Sequence, residues 1–383
     1  MFAALHETDD STAINLTAYG NFIPGSGNQL LTVGRKYLRF FRTNPYALVT
    51  SDDGGEEFSQ KTKLECIFSV RLLSSVQDLA VAKIPLFPSA DCLLLAFDDA
   101  KVSIVGISPT ERNLQTISLH SFEDDTLKDG FTRNCSPPII RGDPSSRCGA
   151  MLVYGKHIAV LPFLEGVSHV HSYTVKLTNI DPRLENILDM TFLHGYFEPT
   201  LLFLYEPLQT TAGRASIRAD TCCIMGVSLN TRERQQAVVW QMSGLPMDCY
   251  RLQAIHSPLG GAMVFGANEI IYLNQSVPPC GVSLNSCLES FTKFPLKDMT
   301  HLSLVLDASE SAYLTTGKVA VGTRDGQLYL ITLETDSSSN AVKNMNIELA
   351  TECTIPCTMM TCASGHLFIG SRLGDSQLLH FDI

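Results

Sequence analysis

The sequence predicts an all-β fold: a seven-bladed β-propeller, not of the WD40 type, with four-stranded antiparallel blades. The first observation is a recurring unit in which an apolar run, a short polar turn and a second apolar run follow one another. The second is the spacing of these units, roughly 50 to 60 residues, which continues until the 383-residue chain is filled. A period of this size indicates a repeat architecture, and radially arranged antiparallel units are propeller blades.

The seven units have the features of β-hairpins. They contain β-branched and aromatic residues in alternating or fully apolar runs, with Gly, Asn or Asp at the turn. The units start at Leu30, Leu93, Ala150, Thr200, Ala262, Lys318 and His366. Shorter apolar segments between them, such as Lys63–Arg71 and Thr116–His120, bring each unit to about four strands.

Other local signals refine this prediction. The single tryptophan, Trp240, is followed by Gln241, so the Trp-Asp signature of WD40 blades is missing. Asp181-Pro182 followed by Leu184 predicts one helical turn, with Asp as N-cap and Pro at the first helical position. The longest predicted loops are Thr43–Lys61, Glu123–Arg147, Glu206–Asp220 and Thr335–Lys343.

The ends of the chain raise the question of how the ring closes. The repeat stops within its seventh unit, at Ile383. Because a propeller must join its last blade to its first to avoid an open edge, Met1–His6 is expected to supply a closing strand. We also expect residues 1–383 to form one N-terminal propeller of a longer protein.

Three glycines in the last two units are assigned to folding. Gly322, Gly370 and Gly374 stand at the ends of apolar runs or within the following turn. Glycine readily adopts positive φ, so we expect all three to be structural turn glycines.

Composition excludes several classes of protein. Hydrophobic residues make up 45% of the chain, charged residues only 17%, and the formal net charge is -11. A chain this acidic, without a run of Lys and Arg, is unlike a main nucleic-acid-binding surface. The acidic N-terminus is unlike a secretory signal, and no apolar stretch is long enough to span a membrane. Twelve irregularly spaced cysteines favour a reducing compartment.

One group of residues resembles a metal site in composition but not in spacing. Cys353, Cys357, Cys362 and His366 lie in a single run that is predicted to be largely strand. Since a strand rises about 3.3 Å per residue, the outer two residues would be too far apart to bind one ion. We therefore predict structural cysteines and no metal or cofactor.

The sequence contains no motif for catalysis. G-x-S-x-G is missing, the histidines are scattered, and the glycines of Gly20–Asn28 match neither a P-loop nor a dinucleotide-binding fingerprint. A propeller hydrolase with acidic or metal-binding residues at its channel stays open as an alternative. A binding platform without enzymatic activity or a small-molecule substrate is favoured.

Four stretches resemble one family of proteins. They are Ile117–Phe131, Phe192–Pro207, Ala219–Asn230 and Tyr272–Ser286. They resemble the largest subunit of the cleavage and polyadenylation specificity factor, and the resemblance covers nearly the whole chain. The ending FIGSRLGDSQLL is similar to a wider family that includes the large subunit of UV-damaged DNA-binding protein.

This resemblance implies a nuclear scaffold in mRNA 3′-end processing, built from three propellers of which this is the first. In that family the first and third propellers face each other and hold partner segments. The implied partners are the WD-repeat and zinc-finger subunits, which recognise the AAUAAA signal. Pre-mRNA would be reached indirectly through that complex, and neither membrane binding nor cleavage activity is implied. The alternative is a cullin ubiquitin-ligase adaptor of the UV-damage-binding type.

One loop is singled out as a partner-binding candidate because its sequence is more distinctive than a simple turn requires. It consists of Asn274, Gln275, Ser276, Val277, Pro278 and Pro279. The alternative explanation is that its two prolines only shape the connection between strands.

Overall fold

Seven antiparallel sheets form the blades of a propeller in the computed structural model. The residues that the structure describes are 11–50, 56–108, 113–128, 137–207, 219–287, 292–336, 341–362 and 365–382. Blade 1 comprises β1 (Leu16–Gly20), β2 (Gln29–Val33), β3 (Tyr37–Thr50) and β4 (Glu56–Arg71). Blade 2 comprises β5 (Val76–Ile84), β6 (Phe87–Phe97), β7 (Lys101–Ile107) and β8 (Leu114–Ser121). Blade 3 comprises β9 (Ile140–Gly142), β10 (Cys148–Val153), β11 (His157–Pro162) and β12 (Tyr173–Lys176).

The remaining blades follow in chain order. Blade 4 comprises β13 (Ile187–Phe192), β14 (Thr200–Tyr205), β15 (Cys222–Asn230) and β16 (Gln235–Leu245). Blade 5 comprises β17 (Cys249–Ala254), β18 (Ala262–Gly266), β19 (Glu269–Leu273), β20 (Cys280–Ser283) and a short parallel β21 (Lys297–Asp298). Blade 6 comprises β22 (Glu310–Thr315), β23 (Lys318–Gly322), β24 (Gln327–Thr335) and β25 (Val342–Glu352). Blade 7 comprises β26 (Thr358–Cys362), β27 (His366–Gly370) and β28 (Gln377–His380).

The predicted all-β propeller and its seven hairpins are confirmed. Each predicted unit supplies the second and third strands of one blade. These middle strands are apolar because neighbouring blades cover both of their faces; β10, β14, β18 and β19, for example, are buried at every position. The outer strand β16 alternates between exposed and half-buried residues over most of its length. The middle hairpins are therefore the part of each blade that is easiest to recognise in the sequence.

Helices are few and short among the described residues. They are α1 (Asp125–Lys128), α2 (Leu177–Ile180) and a 3₁₀ turn at Thr300–Leu302. Within the described part of the chain, no helix has the length and apolar character needed to cross a membrane.

Two local predictions were wrong. The helical turn α2 ends before Asp181, whose backbone N–H donates to the Leu177 carbonyl oxygen and whose carboxylate accepts hydrogen bonds from Arg183. Asp181 thus follows a helix instead of capping one. The loop predicted at Thr43–Lys61 is mostly strand, because β3 continues to Thr50 and β4 begins at Glu56.

Buried side chains form one cluster between each pair of neighbouring blades in the described structure. The clusters differ in size. The one between blades 5 and 6 is the largest, whereas the one between blades 7 and 1 contains only Leu30, Cys362 and Phe368 as fully buried members. The seam between the last and the first blade therefore has the smallest buried apolar core.

Polar contacts hold this seam near the channel. The Thr17 and Thr358 hydroxyls lie 2.7 Å apart, and the Ile14 backbone N–H donates to the Ser371 carbonyl oxygen at 3.2 Å. Arg372 Nε donates to Asn15 Oδ1 at 2.7 Å. Residues 14–17 thus join blade 7, while the Met1–His6 segment predicted to close the ring lies outside the described residues.

The three predicted turn glycines have a different role. None of Gly322, Gly370 and Gly374 has positive φ; Gly326 and Gly365 supply that conformation nearby, with φ of 78° and 70°. A Cβ on Gly370 would lie 2.8 Å from Thr358 Cγ2 and 2.9 Å from Ile14 Cγ2. A Cβ on Gly322 would meet Pro356 Cγ at 2.9 Å. At these two positions, close packing excludes a side chain.

Charged side chains connect the blades around the channel. Arg141 of blade 3 lies between Asp78 of blade 2, at 2.6 Å, and Asp189 of blade 4, at 3.4 Å. Asp189 also accepts the Leu252 backbone N–H of blade 5 at 2.8 Å. Burial lowers the pKa of Arg141, but the two carboxylates raise it above its ordinary value overall. Arg141 and Asp189 therefore link four consecutive blades.

The same arrangement continues into blade 6. Arg251 on β17 forms an ion pair with Glu310 on β22 at 2.7 Å and donates to the Ser309 carbonyl oxygen at 3.1 Å. Burial and the neighbouring carboxylate again have opposite effects, and the pKa of Arg251 stays above its ordinary value. Blades 2 to 6 are thus joined by contacts between their first strands.

We predict that Asp189→Ala destabilises the protein by about 3 kcal/mol, since it leaves Arg141 with one partner and the Leu252 N–H with no acceptor. Urea unfolding monitored by circular dichroism measures this change. Asp307→Ala removes an exposed ion pair with Arg324 and serves as the control, with an expected change within about 0.5 kcal/mol. Equal effects of the two variants would contradict a structural role for the buried network.

Candidate functional site

The predicted partner-binding loop joins the third and fourth strands of blade 5, β19 and β20. Gln275, Ser276 and Pro278 are exposed, while the other members of the loop are half-buried. Ser276 has φ of 60°, a left-handed conformation that is uncommon for a residue with a side chain. The loop therefore presents three side chains on a tightly bent backbone.

The first residue of the loop has an anchoring role. Asn274 Nδ2 donates to the Leu259 carbonyl oxygen at 3.1 Å and lies 3.3 Å from the Tyr272 hydroxyl. Asn274 Oδ1 accepts the Gln275 backbone N–H at 2.8 Å. These bonds fix the loop to the connection between β17 and β18, so that Asn274 positions the exposed residues after it.

A stack of rings lies at the same end of the blades. The His194 and His256 ring centroids are 4.3 Å apart, and those of His256 and Tyr313 are 4.0 Å apart. A Cβ on Gly260 would lie within 4 Å of both the His194 carbonyl oxygen and Asn274 Nδ2. The loop and the stack therefore form one surface across blades 4, 5 and 6, called here the His–Tyr surface: His194, His256, Tyr313, Gln275, Ser276 and Pro278.

The imidazoles of this surface are neutral at physiological pH. Burial, together with the neighbouring His256, lowers the pKa of His194 to about 4. Burial also lowers the pKa of His256. Two neutral imidazoles stacked on a phenol ring provide a flat and partly apolar contact area, which suits a protein partner better than an anion.

The metal-like run does not gather into a site. Cys353 packs against the core between blades 6 and 7, whereas Cys362 belongs to the core between blades 7 and 1. Cys362 and His366 face each other across β26 and β27. Among the described residues, no group of three or more His, Cys, Asp or Glu is placed to hold a metal ion.

A buried carboxyl group in blade 5 was not identified from the sequence. Glu269 is fully buried, and burial and the nearby Asp248 raise its pKa to about 9. The Cys249 thiol donates to Glu269 Oε1 at 3.4 Å, and Asn268 Nδ2 donates to Asp248 at 2.6 Å. Glu269 is therefore protonated at neutral pH and is part of the blade core.

An open cleft lies on the same side of the propeller, between blades 2, 3 and 4. Its volume is about 710 Å³. Its walls include Pro85, Pro144, Phe163 and Pro199, with Arg232 among the charged residues. These rigid, mostly apolar walls suit a docked peptide segment better than a reactive substrate.

The depressed pKa of His194 predicts a pH-dependent stability. An unfolded histidine has a pKa of about 6.5, so protonation favours the unfolded chain and stability falls as pH drops from about 6.5 toward 4. In His194→Phe, which retains a ring but does not titrate, the unfolding temperature should fall less between pH 7 and pH 5. Differential scanning calorimetry at both pH values measures the difference.

The exposed His169 provides the control for this measurement. His169→Phe should leave the fall in unfolding temperature as it is in the unmodified chain. If His194→Phe also leaves it unchanged, His194 is not a neutral partner in the ring stack.

Comparison with known proteins follows from this geometry. Residues 13–383 match the family described as RSE1/DDB1/CPSF1 first beta-propeller. The chain is 58% identical over its whole length to a Caenorhabditis elegans protein named "Probable cleavage and polyadenylation specificity factor subunit 1", of which it covers 26%. It is 36% identical over its whole length to the Drosophila melanogaster subunit 1, of which it covers 28%.

A more distant relative has the same extent of match. The chain is 28% identical over 83% of its length to the Schizosaccharomyces pombe "Protein cft1", of which it covers 24%. The chain thus spans about a quarter of the length of the curated relatives that it matches. With a family match from residue 13 to residue 383 and a seven-bladed fold, the chain belongs to the RSE1/DDB1/CPSF1 first β-propeller family.

Proposed function

We propose that this chain is a non-enzymatic scaffold module of the machinery that cleaves and polyadenylates pre-mRNA, and that it acts in the nucleus. The observation that carries the proposal is the identity of 58% over the whole chain to a relative named as subunit 1 of the cleavage and polyadenylation specificity factor. The fold supports it, because a closed ring of blades holds its loops in fixed positions.

The proposed scaffold is the first of three propellers in a longer polypeptide. The relatives are about four times as long as the chain, which is consistent with further domains of similar size. Its partners are the WD-repeat and zinc-finger subunits that recognise AAUAAA, and it reaches pre-mRNA through them. The net charge of -11 supports indirect contact, since phosphate groups would be repelled by most of the surface.

The His–Tyr surface is the proposed contact with these partners. Its neutral rings and the exposed residues Gln275, Ser276 and Pro278 are fixed by the Asn274 hydrogen bonds. A rigid loop loses little conformational entropy on binding, which favours affinity for a small contact area.

Affinity purification tests this proposal. Tagged residues 1–383 and the longer polypeptide are used to isolate proteins from nuclear extract, followed by mass spectrometry. We expect the longer polypeptide to recover the WD-repeat and zinc-finger polyadenylation subunits. Recovery of cullin-ligase components in their place would contradict the proposed function and favour an adaptor of the UV-damage-binding type.

A set of variants locates the contact. Gln275→Ala, Ser276→Ala and Pro278→Ala, combined in one protein, should reduce recovery of the partners at least about five-fold. The matched control combines Thr231→Ala, Arg232→Ala and Glu233→Ala in the turn between β15 and β16. If both triple variants recover the partners equally, the 274–279 loop is not the contact.

A further inference from the structure

Unpaired cations gather at one end of the outer half of blade 1. Arg35 and Lys36 form the turn between β2 and β3, Arg39 lies on β3, and Arg71 ends β4. None of these four side chains forms an ion pair with a carboxylate in the structure, unlike Arg42, which pairs with Glu65 on the same two strands. In a chain with a net charge of -11, four free cations in one place form a distinct local surface.

Tyr37 sets the spacing of two of these cations. It faces Arg71 directly across the β3–β4 ladder, and Arg39 follows two residues later on the same face of the strand. The guanidinium carbon of Arg39 lies 5.2 Å from the Tyr37 ring centroid, and that of Arg71 lies 5.9 Å from it. Cation–π contact therefore holds both guanidinium groups beside one ring while their N–H groups stay available.

Blade 7 extends the basic surface by a fifth cation. The Asn15 backbone N–H donates to the Val33 carbonyl oxygen at 2.8 Å, and Asn15 Oδ1 accepts the Arg372 Nε–H at 2.7 Å. Val33 is two residues before Arg35, so Arg372 lies next to the β2–β3 turn. The hydrogen bond to an uncharged amide leaves its positive charge uncompensated.

Two leucines lie beside these cations and are almost fully exposed. The Leu72 backbone N–H donates to the Lys36 carbonyl oxygen at 2.7 Å, which places the neighbouring Leu73 next to the same turn. Leu73 is 100% exposed and Leu373, next to Arg372, is 83% exposed. The name basic rim is used for Arg35, Lys36, Arg39, Arg71, Arg372, Leu73 and Leu373.

We propose that the basic rim binds an acidic polypeptide segment that also carries apolar side chains. Five cations attract carboxylates and steer them to this end of an otherwise acidic molecule, while burial of the two leucines adds affinity that charge alone does not provide. The rim is at the opposite end of the blades from the His–Tyr surface, because β2–β3 and β19–β20 turns open to different ends of an up-and-down sheet. A partner on one surface thus leaves the other accessible.

The composition of the rim favours protein over single-stranded RNA. Proteins that bind single strands combine basic residues with exposed aromatic rings on which bases stack. In the described part of the rim the one ring, Tyr37, already lies against two guanidinium groups, and the exposed apolar residues are leucines. Such a surface offers phosphate contacts without a stacking platform.

Three fluorescein-labelled probes test the proposal by fluorescence anisotropy with the 383-residue chain. The first is a 15-residue peptide of three Glu-Glu-Leu-Ser-Glu repeats, the second has Gln in place of every Glu, and the third is a 15-nucleotide single-stranded RNA. We expect the acidic peptide to bind at least about ten-fold more tightly than either other probe at low salt. Its affinity should fall several-fold between about 50 and 200 mM NaCl.

Variants then assign the binding to the rim. Arg39→Glu combined with Arg71→Glu should weaken binding of the acidic peptide at least about ten-fold. The matched control, Lys83→Glu with Arg232→Glu, makes the same change of charge at exposed positions on the other end of the blades and should have little effect. Leu73→Ser with Leu373→Ser changes only exposed side chains, so it tests the apolar contribution without affecting folding, and should weaken binding about five-fold.

The outcomes separate the alternatives. Equal weakening by the rim and control charge reversals, or no binding of the acidic peptide, overturns the proposal. Tighter binding of RNA than of the acidic peptide overturns it in favour of a nucleic-acid surface. Because these probes are defined molecules, the result is independent of the affinity purification that tests the proposed function.

Discussion

Closure of the ring is the constraint on which the other features of this structure depend. Each blade buries both of its faces against neighbours, so that every middle strand is apolar and every interface has its own cluster of buried side chains. The seam between blades 7 and 1 has the smallest such cluster, and the Thr17–Thr358 and Ile14–Ser371 hydrogen bonds supplement it. Without this seam, two blade faces would be exposed to water and the channel network would lose its fixed geometry.

Charges play two different roles in the molecule. Around the channel, Asp78, Arg141 and Asp189 are paired and hydrogen-bonded, which compensates their removal from water and fixes the angles between blades. On the basic rim, the cations are exposed and have no carboxylate partners. The first arrangement stabilises the scaffold, whereas the second is available for binding.

The sequence predicts the blades well because a strand covered on both faces must be apolar and its turn must be polar. It does not predict the role of Gly322 and Gly370, since the atoms that exclude a side chain there belong to blade 7 and to the seam. Nor does it predict the Arg141–Asp189 pair, because these residues are distant in sequence and each resembles an ordinary polar residue in a strand. Asp181-Pro182 misled for a related reason: helix caps are local signals, and here Asp181 follows the helical turn. The 274–279 loop was chosen for its distinctive sequence, whereas its link to His194 is visible only in three dimensions.

Hydrogen exchange of the folded chain, resolved to individual strands by mass spectrometry, tests most directly whether ring closure governs stability. If it does, the first strands of all seven blades exchange at one common slow rate, because opening the seam unfolds the whole ring. Rapid exchange in β1 and β26, with slow exchange in β13 and β17, would contradict this account. It would show that blades 2 to 6 remain folded when the seam is open.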